Sequence, residues 1–295
     1  MVELDSGFFV GVGNEPAGSD GAVIARVSSA GMVTAEHSLD EQGCHDMHLH
    51  AGKLYVPGTD PTDDWTLGNL YIRETDGTWL KRRTLPLTLH TWGMCHDEEG
   101  NLWAAVGAHA GDNVTWQGRV LMSNDDGLTW TRNIQLNDYR IYDILWLNGY
   151  YYAIGYHWTG SIYEYQLWYS TDSTVWQLIT NIYPYRLQRL VAHGTFVVTV
   201  NYTLNQLIVI DGISVSGYAL PASYRPVMFN GLVSVDADLY MLDATGRIWQ
   251  TNDFTNWTQY SYIPNAISLG YWPSQQCLVA SDVGVNAKFW KIPLA

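Results

Sequence analysis

The chain alternates between short apolar runs and clusters of turn residues, and the runs have the length of strands. Leu54-Tyr55-Val56-Pro57-Gly58, Leu102-Trp103-Ala104-Ala105-Val106-Gly107 and Tyr151-Tyr152-Ala153-Ile154-Gly155 form one series. Ala51-Gly52, Glu99-Gly100-Asn101 and Asn148-Gly149 stand before them, residue pairs that tolerate the left-handed backbone of tight turns. A second series follows at Asn69-Leu70-Tyr71-Ile72, Arg119-Val120-Leu121-Met122, Gln166-Leu167-Trp168-Tyr169 and Gly246-Arg247-Ile248-Trp249. No long stretch carries a 3.6-residue apolar period, so helices are not predicted. Regular short strands with turn punctuation imply an all-β repeat architecture.

Directly after the second series comes a repeated turn. Its fullest copy is Ser123-Asn124-Asp125-Asp126-Gly127-Leu128-Thr129-Trp130. Partial copies are Glu74-Thr75-Asp76-Gly77-Thr78-Trp79, Ser170-Thr171-Asp172-Ser173-Thr174-Val175-Trp176 and Thr251-Asn252-Asp253-Phe254-Thr255-Asn256-Trp257. The four Trp residues fall 51, 46 and 81 positions apart, and the last gap leaves room for a copy that has decayed around Ile208-Val209-Ile210-Asp211-Gly212-Ile213. The carboxylate of such a turn can accept backbone N–H groups, and Gly supplies a positive φ. Position for position, the segment 123–130 resembles the Asp box of sialidase-like β-propellers. That resemblance implies a structural turn between the third and fourth strands of each blade, with its Trp largely buried. Asp125 and Asp172 are accordingly read as structural.

The strand count predicts a β-propeller of four-stranded antiparallel blades in one domain spanning 1–295. Blades fall near 44–89, 90–138, 139–184, 185–223 and 224–263. Three further strands precede them (Phe8-Phe9-Val10-Gly11, Ala22-Val23-Ile24-Ala25 and Met32-Val33-Thr34-Ala35), and about three follow, ending at Lys288-Phe289-Trp290-Lys291. Seven blades fit this arithmetic; six is the alternative, in which the terminal strands share one blade.

Composition narrows the function. Apolar residues make up 47% and charged ones 15%, which excludes disorder. The 29 acidic residues outnumber 15 basic ones for a net charge of −14, which argues against nucleic acid as a partner. No apolar stretch approaches the ~20 residues of a membrane span. The first residues, Met1-Val2-Glu3-Leu4-Asp5, do not have the basic start and apolar run of a secretory signal. Cys44, Cys95 and Cys277 are too few and too scattered for a disulfide framework or a zinc site. His48 and His50 share one strand face, but no third ligand is assignable, so neither a metal nor another cofactor is expected.

Two sets of residues stand out as candidate sites. The first follows the blade period at the start of successive blades: His45, His90, Arg140, Arg186 and Arg225. If the first strand of each blade lines a central channel, these would gather at its mouth and bind an anionic group, for which the planar guanidinium fork is suited. The bland reading pairs each Arg with a carboxylate of the adjacent blade. The second set lies in long loops between second and third strands: Trp65, Trp116 with His109, and Trp158 with His157. Indole faces stack on the C–H faces of sugars while polar neighbours bond hydroxyls, so these are the glycan-binding candidates. The same residue types would equally suit a protein interface.

Sialidase-like propellers include hydrolases, and the resemblance implies an Arg triad and an early Arg-Ile-Pro segment for such activity. No Arg-Ile-Pro occurs here. Asp143 and Glu164 are available carboxylates, but their spacing selects neither for catalysis. The expectation is therefore a non-enzymatic binding module for a glycan or cell-surface receptor, outside the cell or on a virion surface, as in a tail-fibre tip or adhesin. A sialidase-like glycoside hydrolase, a decoration subunit contacting other virion or assembly proteins, and a cytoplasmic location are the alternatives.

Overall fold

Along each central strand, alternate residues go to opposite neighbours, and both destinations are apolar cores. In the second blade, Leu54 and Val56 pack with Phe9, Ile24 and Leu39 of the first, whereas Tyr55 between them packs with Met94, Leu102 and Leu121 of the third. In the third, Leu102, Ala104 and Val106 face back to the second blade, and Trp103 and Ala105 face Ile141, Ile144 and Ala153 of the fourth. A strand with two buried faces needs apolar residues at both parities, so these strands read as continuous apolar runs instead of alternating ones.

The chain is all-β, a β-propeller of seven antiparallel blades. The computed structural model describes residues 1–295 apart from 6, 14–20, 112–114, 183–186, 188, 202, 224–230, 283–287 and 295. It divides into two compact units, Met1–Asn181 and Ile182–Ala295.

Blade one of the first unit comprises Val2–Leu4, Gly7–Val12, Val23–Val27 and Val33–Ser38, paired in chain order. Blade two comprises His48–His50, Lys53–Pro57, Leu67–Arg73 and Trp79–Pro86. Blade three comprises Thr88–His96, Leu102–His109, Trp116–Ser123 and Thr131–Asn137; the short strands Thr59–Pro61 and Glu41–Gly43 extend its inner edge to six. Blade four comprises Tyr139–Leu147, Tyr150–Trp158, Tyr163–Ser170 and Gln177–Ile182.

Blade five of the second unit comprises Val191–His193, Phe196–Asn201, Gln206–Asp211 and Ser214–Ala219, and blade six Leu232–Val235, Asp238–Leu242, Arg247–Thr251 and Thr258–Tyr262. The seventh has three strands among the described residues: Ser268–Trp272, Cys277–Ser281 and Phe289–Pro293. The first and last sheets are separate, which decides between seven and six. The sequence reading missed Val2–Leu4, the strand that completes blade one. No helix among the described residues is long and apolar enough to cross a membrane.

The Asp turns join third and fourth strands as expected. Asp125 accepts the Thr129 N–H at 2.8 Å, the Thr129 hydroxyl at 2.6 Å and the Ser123 hydroxyl at 2.7 Å. Those bonds, led by Thr129, hold its carboxyl down to about 2. Asp126 and Gly127 supply positive φ values of 62° and 81°. Asp172 and Asp253 repeat the pattern, each accepting two backbone N–H groups within the turn. The decayed copy is the tight turn at Gly212 between Gln206–Asp211 and Ser214–Ala219.

The 123–130 turn also clasps blade two. Asp126 receives Lys53 and the Tyr55 hydroxyl, both at 2.6 Å, Arg82 donates to the Asp126 carbonyl, and Thr84 to that of Gly127. Trp130 is partly buried against the apolar core shared by blades two and three, and its indole N–H donates to the Thr84 hydroxyl at 3.1 Å.

A carboxyl is sealed between blades one and two. Glu41 is fully buried, its carboxyl lies against Gly58, and one oxygen accepts from Asn69 and Tyr71 while Oε2 has no partner. Burial pushes it up to about 8, against the smaller opposing pull of those two hydrogen bonds.

Two outcomes are predicted. Trp130→Ala should lower stability by about 2 kcal/mol in urea unfolding, below the ~3–5 typical of a fully buried Trp. The unfolded chain releases the Glu41 proton near pH 4.5 and the folded chain near 8, so this group makes stability fall as pH rises between those values, by up to about 1.4 kcal/mol per unit. Glu41→Gln should remove that slope; an unchanged pH profile of urea midpoints would contradict it.

Candidate functional site

Antiparallel pairing brings the start of a blade's first strand, the end of its second and the start of its third to one end. In blade four the register aligns Tyr139 with His157, Arg140 with Tyr156, and Trp158 with Tyr163. In blade three it aligns His90 with Gly107 and His109 with Trp116. Side chains from the two predicted sets thereby meet at the junction of blades three and four.

Arg140 is the centre of this cluster. Its guanidinium lies over the Trp116 indole, 3.8 Å from the ring centroid, and donates to the Tyr156 hydroxyl at 3.2 Å. Among the described Lys and Arg side chains of the first unit, it is the one whose partners, main chain included, are all aromatic side chains. Lys53, Arg73, Lys81 and Arg83 pair with carboxylates, Arg26, Arg82 and Arg119 donate to main-chain carbonyls, and Arg132 donates to Gln135. The pairing of Arg140 with a carboxylate of the adjacent blade is not what the structure shows.

From Arg140 the aromatic side chains run outward as a band. Tyr156 meets Tyr163 edge to face at 5.4 Å, and Tyr163 meets Trp158 at 4.6 Å. Trp158 and Tyr163 are 48% and 51% exposed, a large apolar area open to solvent. Such contiguous exposed aromatic surface marks interaction sites. On one flank Tyr139 stacks on His157 at 4.9 Å, and the His157 Nδ1 lies 3.9 Å from Glu164. On the other, His90 meets Trp116 at 5.7 Å and Trp92 at 4.6 Å, with its Nδ1 3.2 Å from Asp60. Burial, and then the charges of Arg140 and His45, hold His90 down to about 3, so it is neutral at physiological pH. One cation, two carboxylates and several aromatic faces are thus interleaved, a set that can stack on an apolar ring face and bond its polar substituents.

Not every predicted residue belongs here. His109 is 2% exposed; its Nε2 bonds the Trp65 carbonyl at 2.8 Å and its Nδ1 accepts the Gly111 N–H, so it braces two loops and is not a ligand contact. Trp65 is 41% exposed but makes no ring contact with the band among the described residues. Trp116 is half-buried beneath Arg140, so its role is to hold the guanidinium; it does not offer a free stacking face. His45 lies beside His90 in the segment before His48–His50. Arg186 and Arg225 lie outside the described residues. Asp143 is buried and accepts the Ile144 N–H, packed on Gly93, whereas Glu164 faces His157.

Sequence reasoning missed Tyr156 and Tyr163 as band members. Both lie in the 156–165 loop segment, and the register of blade four would have placed Tyr156 opposite Arg140. It also missed a second Asp turn. Asp97-Glu98-Glu99-Gly100-Asn101-Leu102-Trp103 and Asp243-Ala244-Thr245-Gly246-Arg247-Ile248-Trp249 share one spacing. In each, the Asp accepts the N–H groups two and four residues on and the indole N–H six residues on, at 2.8 and 2.9 Å. These turns are structural and lie outside the band.

No family model and no curated protein matches the chain. Solved structures of similar fold include a candidate 6-phosphogluconolactonase from Bacteroides fragilis (TM-score 0.66, 12% identity, covering 97% of this chain and 91% of that one). Virginiamycin B lyase from Staphylococcus aureus is similar at TM-score 0.65 and 10% identity, covering 99% and 97%. An ulvan lyase, a polysaccharide lyase bound to -[GlcA(1-4)Rha3S]-, is similar at TM-score 0.56 and 9% identity, covering 99% and 91%. At these identities the likeness is one of fold.

Proposed function

We propose that the chain is a non-enzymatic recognition module that binds cell-surface glycans through the aromatic band of blades three and four. One observation carries the reading. A guanidinium with no carboxylate partner lies on Trp116 at the inner end of a band whose outer end, Trp158 and Tyr163, is open to solvent. Sugar C–H faces stack on the exposed rings. The remaining donors of Arg140 take a carboxylate, a sulfate or an array of hydroxyls. Glu164 and Asp60, on the two flanks, accept hydrogen bonds from sugar hydroxyls. The ulvan lyase illustrates that a protein of this fold class can hold a uronate polymer, and its likeness to this chain extends to the fold alone. A module of this kind suits the tip of a virion fibre or an adhesin, where a rigid scaffold presents loops to a host surface.

The test is a glycan array followed by calorimetry on the strongest ligand. Trp158→Ala and Tyr163→Ala should keep the wild-type melting temperature, because both rings are half exposed. Each should weaken binding by about 1–3 kcal/mol, the range for base–aromatic stacking. Arg140→Gln should weaken acidic ligands more than neutral ones. A blank array, or variants that melt early and bind normally, would refute the assignment.

A further inference from the structure

The His-rich segment at 45–50 finds a partner that the sequence did not single out. His48 and His50 lie on the innermost strand of blade two, and His96 ends the first strand of blade three. The His50 and His96 rings stack at 3.8 Å with planes 5° apart, and His48 stacks on His96 at 5.0 Å and 18°. Tyr55 closes the pocket edge-on at 4.8 Å from His96. The His96 Nδ1 is buried with no hydrogen-bond partner. Nitrogen lone pairs lie in the ring plane, so near-parallel rings aim them side by side and not at one point. This geometry does not make a metal centre, and no group of three ligands able to hold a metal ion occurs among the described residues.

We infer that this histidine stack is an acid-sensitive clasp between blades two and three, closed while His96 is neutral and loosened when it takes up a proton. A proton on His96 would place a cation between two imidazoles, with no acceptor for its buried Nδ1–H. The charged groups facing it are few. Asp97 follows it in the turn, and Asp126 approaches from the 123–130 turn. The Asp126 carboxylate is already engaged by Lys53, which also pairs with Glu74, and by the Tyr55 hydroxyl; Arg82 holds its carbonyl. Asp97 is likewise engaged, by Asn101, Trp103 and Tyr151. Neither carboxylate is available to follow the proton.

Burial first, then the neighbouring His48 and His50, push His96 down to about 3, and the attraction of Asp126 and Asp97 does not offset them. The sign follows. An opened clasp takes up its proton near the ordinary 6.5 and the closed one only near 3, so closure weakens as pH falls through that window. The inference is independent of glycan binding, since none of these residues belongs to the band.

Hydrogen exchange at pH 7 and pH 4.5, corrected for intrinsic rates, tests it on the full chain. Peptides covering 48–55 and 94–103 should lose protection at least tenfold at pH 4.5, while peptides covering 141–144 and 151–154 of blade four lose less. His96→Phe keeps a flat ring in the stack and removes this titration, so protection of 48–55 and 94–103 should fall clearly less at pH 4.5 than in the wild type, the buried His90 of the same strand still titrating. Unchanged protection in the wild type, a uniform loss across all blades, or an equal loss in His96→Phe would each overturn the inference. Should that variant fail to fold, an NMR titration of the wild-type ring decides. A His96 midpoint below about pH 4 supports the clasp, and one near 6.5 overturns it.

Discussion

The structure depends on one constraint: an interior blade must bury both faces, one against each neighbour. Tyr55 and its flanking Leu54 and Val56 serve two different cores although they are adjacent in sequence. Trp103 and its flanking Leu102 and Ala104 do the same one blade later, as do Tyr240 and Met241 in blade six. A shift of one residue in any of these strands would exchange the two sets of side chains. Large residues on one face would then meet a space shaped by small ones. The alternation therefore fixes register more firmly than in a sheet with one solvated face.

The second requirement is that the turns between such strands satisfy their own polar groups, because the strands leave little freedom there. Short carboxylates do this. Asp125, Asp172 and Asp253 gather N–H groups in third-to-fourth turns, and Asp97 and Asp243 gather N–H groups together with an indole N–H in other turns. This accounts for part of the acidic excess of the chain without invoking a cationic partner. It also explains why the carboxyls of these turns lie low: hydrogen bonds to the charged form stabilise it wherever burial is slight.

What could be read from the sequence follows from how local each determinant is. Most of the strands and the 123–130 turn were legible because their chemistry is contained in nine or fewer consecutive residues. Arg140 and the pair Trp158 and His157 were each legible as site candidates, but as two separate sets; their meeting depends on the register of blade four. The burial of His109 was not legible, because it depends on the Trp65 carbonyl 44 residues away. Nor was the capping of Trp116 by Arg140, a contact between adjacent blades, or the burial of Glu41, which depends on Gly58 and Asn69. The Asp97 and Asp243 turns share a spacing in plain view, yet they join different strand pairs, so a search keyed to the third-to-fourth turn passes over them.

The location of the aromatic band follows from the same architecture. Trp116 belongs to blade three and Arg140 to blade four, so their contact exists only while Trp103 and Ala105 hold Ile141 and Ile144 in register beneath it. The guanidinium is thereby positioned by packing instead of by an ion pair. An ion pair would have neutralised its charge and occupied its donors. An indole face positions the cation and leaves the edge of the fork available. Other arginines without a carboxylate, Arg26, Arg82 and Arg119, spend donors on main-chain carbonyls, whereas Arg140 rests on an indole face beside solvent-open rings, and that is the physical reason to look for a ligand there.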